Sequence, residues 1–557
     1  MRRTAISIIV LTVSALFSVT PLILHKGFIG GGWDLSQHMN WAEQVNIGLR
    51  EGILYPRWMS LSNGGYGSPT MTFYSPLFYL LTGFLNLFIP SLTISLKIAT
   101  IAGFIFSGFS MYLLLRNFCS NTASIVGGIA YQLLPYHVFA LYLRETLAEA
   151  FAFIWLPLII HFAYKGFKQD RLSNWIGMSF SYAGLILTHI ASAYIFTFAI
   201  GCFGIFLSIR EKSLRSSLKF IMSFMFGISL SAVYFIPMLF ERKFVHIEWM
   251  TKIWGEFQNH FLFADKHSYL HLEQILVLQA LFVIIFLILI DYRWKKHLWM
   301  PNRNLVFFFL LFILAIYMST PISTPIWILI KGLQTLVFPW RWMTASTFAV
   351  SVLIGLTIDS FRFSDYKRDR FIRILIALFF AVVFINIYCS SQYIMAAEPM
   401  QKERMQQILS DRTDMATFRP IWHTQQKGKD WDPSTEEWMP VKFKQGNGNI
   451  EIVSWKSQSR LFNVNASSES IIRVSTFYYP GWTALINGEG ASIEIEDESG
   501  AILLSIPQGE NTVLLEFKDT PLRRFAGWVS IISIITAFIA VFMEKIKVFN
   551  PFSSGRD

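Results

Sequence analysis

HKGFIGGGWDLSQHMNWAEQVNIGLREGILYPRWMSLSNGGYGSPTMTFYSPLFYLLTGFLNLFIPSL, residues 25–92, is polar, aromatic and rich in glycine, and it lies between the first hydrophobic run and all the others. Bilayer segments need apolar length. This stretch supplies instead acids, histidines and arginines beside the membrane surface, and how it is read decides the sidedness of everything downstream. Around it, 53% of the 557 residues are hydrophobic, 16% aromatic and only 15% charged, too apolar for a soluble chain of this size. The chain reads as a polytopic α-helical membrane protein.

Apolar runs lie near residues 5–24, 94–115, 122–142, 146–164, 174–189, 190–209, 217–239, 274–290, 304–319, 343–358, 371–390 and 526–543, which predicts about 12 spans. The net charge of +11 falls in short clusters between runs, at Arg116, Lys165/Lys168/Arg171, Arg210/Lys212/Arg215/Lys219, Arg293/Lys295/Lys296/Arg303 and Arg362/Lys367/Arg368/Arg370/Arg373. That pattern reports topology and no nucleic-acid partner. With the N-terminus in the cytoplasm, each cluster falls on the inside. Counting residues 73–89 as a full span would turn every later basic loop outward, so this segment is expected to dip into the interface without crossing. Residues 25–92, the turn 143–145, the loops 240–273 and 320–342 and the segment 391–525 are then extracytoplasmic, and both termini cytoplasmic, in a cell (inner or plasma) membrane. Cys119, Cys202 and Cys389 show no paired or metal-ligand spacing.

Residues 391–525 differ in grain. Strand-like runs NIEIVSW, SIIRVSTFYY, AILLSI and NTVLLEF alternate with turn signals GNGN, PGW, NGEG and PQGEN, which predicts an extracytoplasmic β-sandwich between a membrane domain at 1–390 and a terminal helix and tail at 526–557. Its aromatics Trp455, Tyr478, Tyr479 and Trp482 suit sugar stacking and core packing alike.

In GGWDLSQH, Asp34 and His38 stand four residues apart on one helix face. The same pattern fits a capping box, with Asp34 as N-cap and Gln37 as its N3 partner. Asp34, His38 and Glu43 offer a weak metal-ligand set. Tyr55-Pro56-Arg57-Trp58 and Phe338-Pro339-Trp340-Arg341-Trp342 each place a guanidinium among aromatics, suited to a phosphate or to interfacial anchoring. The turn Tyr142–Glu149 carries Arg144, Glu145 and Glu149, the last at a depth where an ionisable group is a site candidate, with an Arg144 ion pair as its alternative. His189 sits at an outward helix break and suits either a site or a helix cap.

With these motifs the chain resembles the GT-C superfamily of membrane glycosyltransferases, and within it the 6-pyruvoyl-tetrahydropterin synthase-related and YfhO-like membrane proteins. GGWDLSQH, GILYPRW, GYGSPTMTFYSPLFYLL, YLRETLAEAF, LILTH, FPWRW and YYPGW carry the resemblance over most of the chain. No pterin chemistry follows, since the zinc-binding histidine cluster that such chemistry needs has no counterpart here. The resemblance implies an acid in the first outward loop, matched by Asp34, and a polyprenyl-phosphate-linked sugar as donor. Asp34 would act as general base in an inverting transfer to a cell-surface glycan, lipid or protein, with no cofactor. Glu149 and His38 stand beside it as catalytic candidates, and Tyr55, Arg57, Trp58, Arg144, His189, Trp340 and Arg341 as substrate-binding ones. The chain has Trp33-Asp34-Leu35 where many relatives carry a second acid, which leaves Glu43 or Glu149 as partner and favours a monophosphate donor. A lipid-linked glycan flippase, a diphosphate-dependent polymerase and a non-catalytic envelope assembly scaffold are the competing functions.

Overall fold

The computed structural model describes residues 2–30, 32–264, 269–295, 303–360, 370–410, 414–424 and 439–549. Each of the twelve apolar runs falls on helix, but among the described residues only eight helices are long and apolar enough to cross a bilayer, or ten if two bent pairs each count as one span. The bends have local causes. Leu214–Leu230 and Ala232–Phe240 meet at 78° across Ser231, whose hydroxyl bonds back to the Gly227 and Ile228 carbonyls. Arg303–Ser319 and Pro321–Leu329 meet at 87°, where Pro321 forces Thr320 into an extended conformation. Arg2–Ser18 and Leu172–Thr188, 17 residues each, span only about 26 Å against the roughly 30 Å of hydrocarbon.

Leu77–Phe88 is a 12-residue helix, about 18 Å long and too short to cross. It buries Phe78, Tyr79, Thr82, Gly83 and Asn86 and exposes Phe84 and Phe88. The buried face packs on the first-loop helix Leu35–Arg50. Gly83 permits this, since a β-carbon there would stand 2.7 Å from Leu49 Cδ1.

Among the described residues the strands of the sandwich begin at Val441. Among the described residues of 396–424, the earlier ones pack on the first loop, whereas Pro420–Thr424 meet Phe244–His246 and Glu498. β1 (Ile29–Gly30) pairs with β2 (Glu398–Pro399), helix Lys402–Ser410 lies against Leu35–Arg50, and Asp414 accepts hydrogen bonds from Trp41 Nε1 at 3.0 Å and Thr70 Oγ1 at 2.6 Å. The sandwich proper is β3 (Val441–Gln445), β4 (Gly448–Trp455), β5 (Ser459–Ala466), β6 (Ser470–Phe477), β7 (Trp482–Ile486), β8 (Glu489–Ala491), β9 (Glu494–Ile495), β10 (Ala501–Ile506) and β11 (Gly509–Phe517). A four-stranded sheet, β3-β6-β10-β9, faces a five-stranded one, β4-β5-β11-β7-β8, and neighbouring strands are antiparallel. Alternate residues fill one core: Phe462, Val464, Val513 and Leu515 from one sheet, Ile472, Val474, Ile502 and Leu504 from the other. Asn487-Gly488, both at positive φ, turns β7 into β8, the pair that a tight hairpin turn requires.

Candidate active site where the first loop meets the 143–146 turn

Backbone pairing builds the site. Trp33 N–H donates to the Leu143 carbonyl at 3.2 Å and Asp34 N–H to the Arg144 carbonyl at 3.0 Å. Gly32 N–H donates to Glu145 Oε2 at 3.0 Å. This seam fixes Asp34 at φ −112°, ψ −1°, and its side chain makes no capping hydrogen bond to the helix Leu35–Arg50. The capping-box alternative therefore fails: long-range pairing of residues 32–34 overrides the local pattern. Asp34 is partly buried, and burial raises its pKa above the usual aspartate value; the Arg144 and then Arg341 charges oppose this, and Glu149 adds to it.

Arg144 is 2% exposed and Glu149 1%, and they pair at 2.6 Å between Nη1 and Oε2. Tyr136 Oη donates to Glu149 Oε1 at 2.8 Å, with Thr344 Oγ1 at 3.5 Å. Glu149 is thus held on both oxygens. The Arg144 guanidinium lies 4.5 Å over the Trp340 ring. Arg341 donates from Nη1 to the Leu336 carbonyl at 3.1 Å and stacks 5.0 Å over Phe338. The Nε atoms of Arg144 and Arg341 are buried and have no hydrogen-bond partner. Unmatched buried donors are costly, and guanidinium groups that carry them are chemically able to bond an anion.

The remaining candidates sit as follows. His38 Nδ1 lies 2.6 Å from Tyr79 Oη, within the rings of Trp41, Tyr74 and Tyr79. Burial above all, then the His189 and Arg144 charges, lower its pKa to about 3, so it is an uncharged wall residue at neutral pH. His189 caps the helix Ile190–Glu211, accepting at Nδ1 from Ser192 N–H at 3.3 Å, and is 6% exposed. Among the described residues no three His, Cys, Asp or Glu side chains converge to hold a metal, so Asp34, His38 and Glu43 do not come together as ligands.

Arg57, Tyr55 and Trp58 lie elsewhere. Arg57 Nη2 donates to the Val233 carbonyl at 2.9 Å, its Nε sits 3.4 Å from Asp519, and it stacks 4.0 Å over Tyr55. Tyr55 Oη donates to the Met71 carbonyl at 2.7 Å. Trp58 packs into the sandwich core against Tyr479, Trp482 and Phe517. Tyr479 and Trp482 are themselves buried there, which removes them as sugar-stacking surfaces. The two Pro-aromatic-Arg motifs therefore separate: FPWRW joins the Asp34 cluster, and YPRW fastens the loop to the sandwich. Gly67, at φ +86°, admits the Trp58 indole, since a β-carbon would stand 2.3 Å from Nε1. Gly67→Ala is expected to lower stability by about 2–4 kcal/mol, from overpacking and an unsuitable φ together; a thermal or denaturant melt of the purified chain checks it.

Tyr136 and Thr344 complete the Glu149 clamp and were not found in the sequence, because an uncharged residue in an apolar run carries no signal of the partner it meets.

A family model described as a 6-pyruvoyl-tetrahydropterin synthase related domain, a membrane protein, matches residues 71–394, more than half of the chain. The chain belongs to this family. In the synthase-related chain the matched segment contains the 143–146 turn, His189 and the FPWRW motif, whereas Asp34 lies before it. No curated protein matches. Two crystal structures of the Archaeoglobus fulgidus oligosaccharyltransferase are similar to the synthase-related chain. The apo form gives 13% identity and a TM-score of 0.42, covering 71% of this chain and 57% of that one. The complex with Zn and sulfate gives 16% and 0.39, covering 71% and 54%. The chain thus spans little more than half the length of these structures.

Proposed function

We propose that this protein is an integral membrane glycosyltransferase that moves a sugar from a polyprenyl-phosphate donor to a hydroxyl acceptor of the cell envelope, with inversion at the anomeric carbon. One observation carries the reading. Asp34, a carboxylate not engaged in capping, lies in the field of the Arg144 and Arg341 guanidiniums, whose buried Nε donors have no hydrogen-bond partner. In the proposed reaction Asp34 takes the proton of the acceptor hydroxyl as that oxygen attacks the anomeric carbon. The carbon–oxygen bond to phosphate breaks, and polyprenyl phosphate leaves with the electron pair. Arg144 and Arg341 meet the charge that grows on the phosphate oxygens. Trp340 supports Arg144, and Glu149 with Tyr136 holds it in place, so Glu149 is a positioning residue in this scheme. The basic clusters support an extracytoplasmic site with both termini in the cytoplasm.

Donor binding tests the phosphate site. With the chain in lipid nanodiscs, Arg341→Ala is expected to weaken affinity for a polyprenyl-phosphate sugar by about 10- to 100-fold, the equivalent of a charged hydrogen bond. Arg57→Ala is expected to leave affinity unchanged and to lower the melting temperature instead. The reverse pattern would place the phosphate at the first motif. The raised Asp34 pKa also sets a pH dependence: the base works only when deprotonated, so kcat/KM rises with pH through a pKa above that of an ordinary aspartate. A limb at the ordinary aspartate value would contradict the burial of this carboxylate.

A further inference from the structure

The turn that supplies Arg144 carries a second acid with no role in this scheme. Glu145 has φ +54°, left-handed backbone that residues with a side chain seldom adopt. It is 1% exposed; Oε2 accepts from Gly32 N–H at 3.0 Å, and Oε1 has no partner. Position 32 must be glycine for this to happen, since a β-carbon would stand 2.5 Å from Glu145 Cδ. The next two residues, Trp33 and Asp34, pair with the Leu143 and Arg144 carbonyls. The Glu145 carboxyl is therefore one of three contacts that hold the backbone at Asp34.

No salt bridge to Glu145 forms among the described residues, and Arg144 of its own turn is committed to Glu149. The titratable group facing it from the opposing loop is Asp34. A buried carboxyl with no cation and a like-charged neighbour is cheaper to hold as the neutral acid. Burial above all, then the Asp34 charge, outweighs the Gly32 N–H and raises its pKa to about 8.

We propose that Glu145 is a positioning residue that grips the Gly32 backbone while keeping its proton, so that it both sets the place of the Asp34 carboxylate and leaves Asp34 the sole ionised acid at the seam. Losing that proton sets two carboxylates against each other in a buried site, and turnover falls on the alkaline side. The inference rests on Asp34 as the base.

Three full-length proteins in nanodiscs test it: wild type, Glu145→Gln and Glu145→Ala, each supplied with a polyprenyl-phosphate sugar and acceptor across about pH 5 to 9. Glutamine keeps a carbonyl for Gly32 and cannot ionise. It is expected to retain neutral-pH kcat within about threefold and to abolish the alkaline fall. Alanine releases the seam and is expected to lower kcat by about 10- to 100-fold with KM for the donor unchanged, the cost of misplacing a catalytic group. An alkaline fall that persists in Glu145→Gln, or a wild-type kcat in Glu145→Ala, overturns the proposal.

Two readouts stand apart from activity. Because the folded pKa lies above the unfolded one, the contribution of Glu145 to stability is complete below about pH 4.5 and is lost as pH rises through about 8. The wild-type melting temperature therefore drops across that window. Glu145→Gln should keep only the part of the drop due to Asp34 and should lose an infrared band of a protonated carboxyl seen in wild type at neutral pH. Equal slopes and equal spectra in the two proteins would sink the proton on Glu145. If wild type turns over no donor, the transferase reading fails while these two measurements still decide the state of Glu145.

Discussion

Arg523→Leu lowers the stability of the chain by about 3–5 kcal/mol, because it leaves the Glu241 carboxylate buried without its cation. Arg523 Nη2 pairs with Glu241 Oε2 at 2.8 Å and Nε with Oε1 at 2.9 Å. Tyr479 Oη donates to the same Oε2 at 2.9 Å, and Arg523 Nη2 also donates to the Pro480 carbonyl at 2.8 Å. The side chains of the pair are 0% and 3% exposed. This cluster ties the PGW turn of the sandwich to the helix Ala232–Glu241 and to the start of the terminal helix Pro521–Phe549. Its loss is expected to free the sandwich for limited proteolysis at lower temperature. Combining Glu241→Gln with Arg523→Leu should recover part of the stability, since no bare charge remains. Single variants within about 0.5 kcal/mol of wild type, the range of ordinary surface substitutions, would show that the cluster does not bind the parts together.

Asp34→Asn lowers turnover by about 100- to 10,000-fold, the range for losing a general base. Donor affinity and melting temperature should stay close to wild type, because the carboxylate makes no capping bond and asparagine keeps its shape. Those two controls matter as much as the rate. A loss of about 1 kcal/mol in stability without a rate defect would return Asp34 to the role of helix cap. Asp34→Glu, which keeps the base but moves it by one methylene, should retain more activity than Asp34→Asn.

The helical runs and the sandwich strands were legible because each element announces its own period: long apolar stretches for the helices, alternation with Asn-Gly and Pro-Gly turns for the strands. The number of crossings was not, since it depends on bends at Ser231 and at Thr320-Pro321 and on helices that stop a few residues short. Asp414 and β2 meet the first loop, a partnership with no local trace in the sequence. The candidate site divides in the same way. Asp34, Arg144, Glu149, His189, Trp340 and Arg341 could be named because ionisable and aromatic residues at membrane loops are conspicuous. Which of them meet was hidden: YPRW and FPWRW are near copies, yet one meets Val233 and Asp519 and the other the Asp34 cluster. Asp34 showed the converse, a perfect local capping pattern overruled by three bonds to residues more than a hundred positions away.

The central claim is that the Asp34 cluster cleaves a lipid-phosphate sugar. Its most direct test is the release of free lipid phosphate by the wild-type chain in nanodiscs, offered a panel of polyprenyl-monophosphate and polyprenyl-diphosphate sugars with and without hydroxyl acceptors. The account predicts acceptor-dependent release from a monophosphate donor, suppressed in Asp34→Asn. Tight binding of donors with no release from any of them, by wild type and Asp34→Asn alike, would contradict it and favour a protein that carries or moves lipid-linked sugars without cutting them.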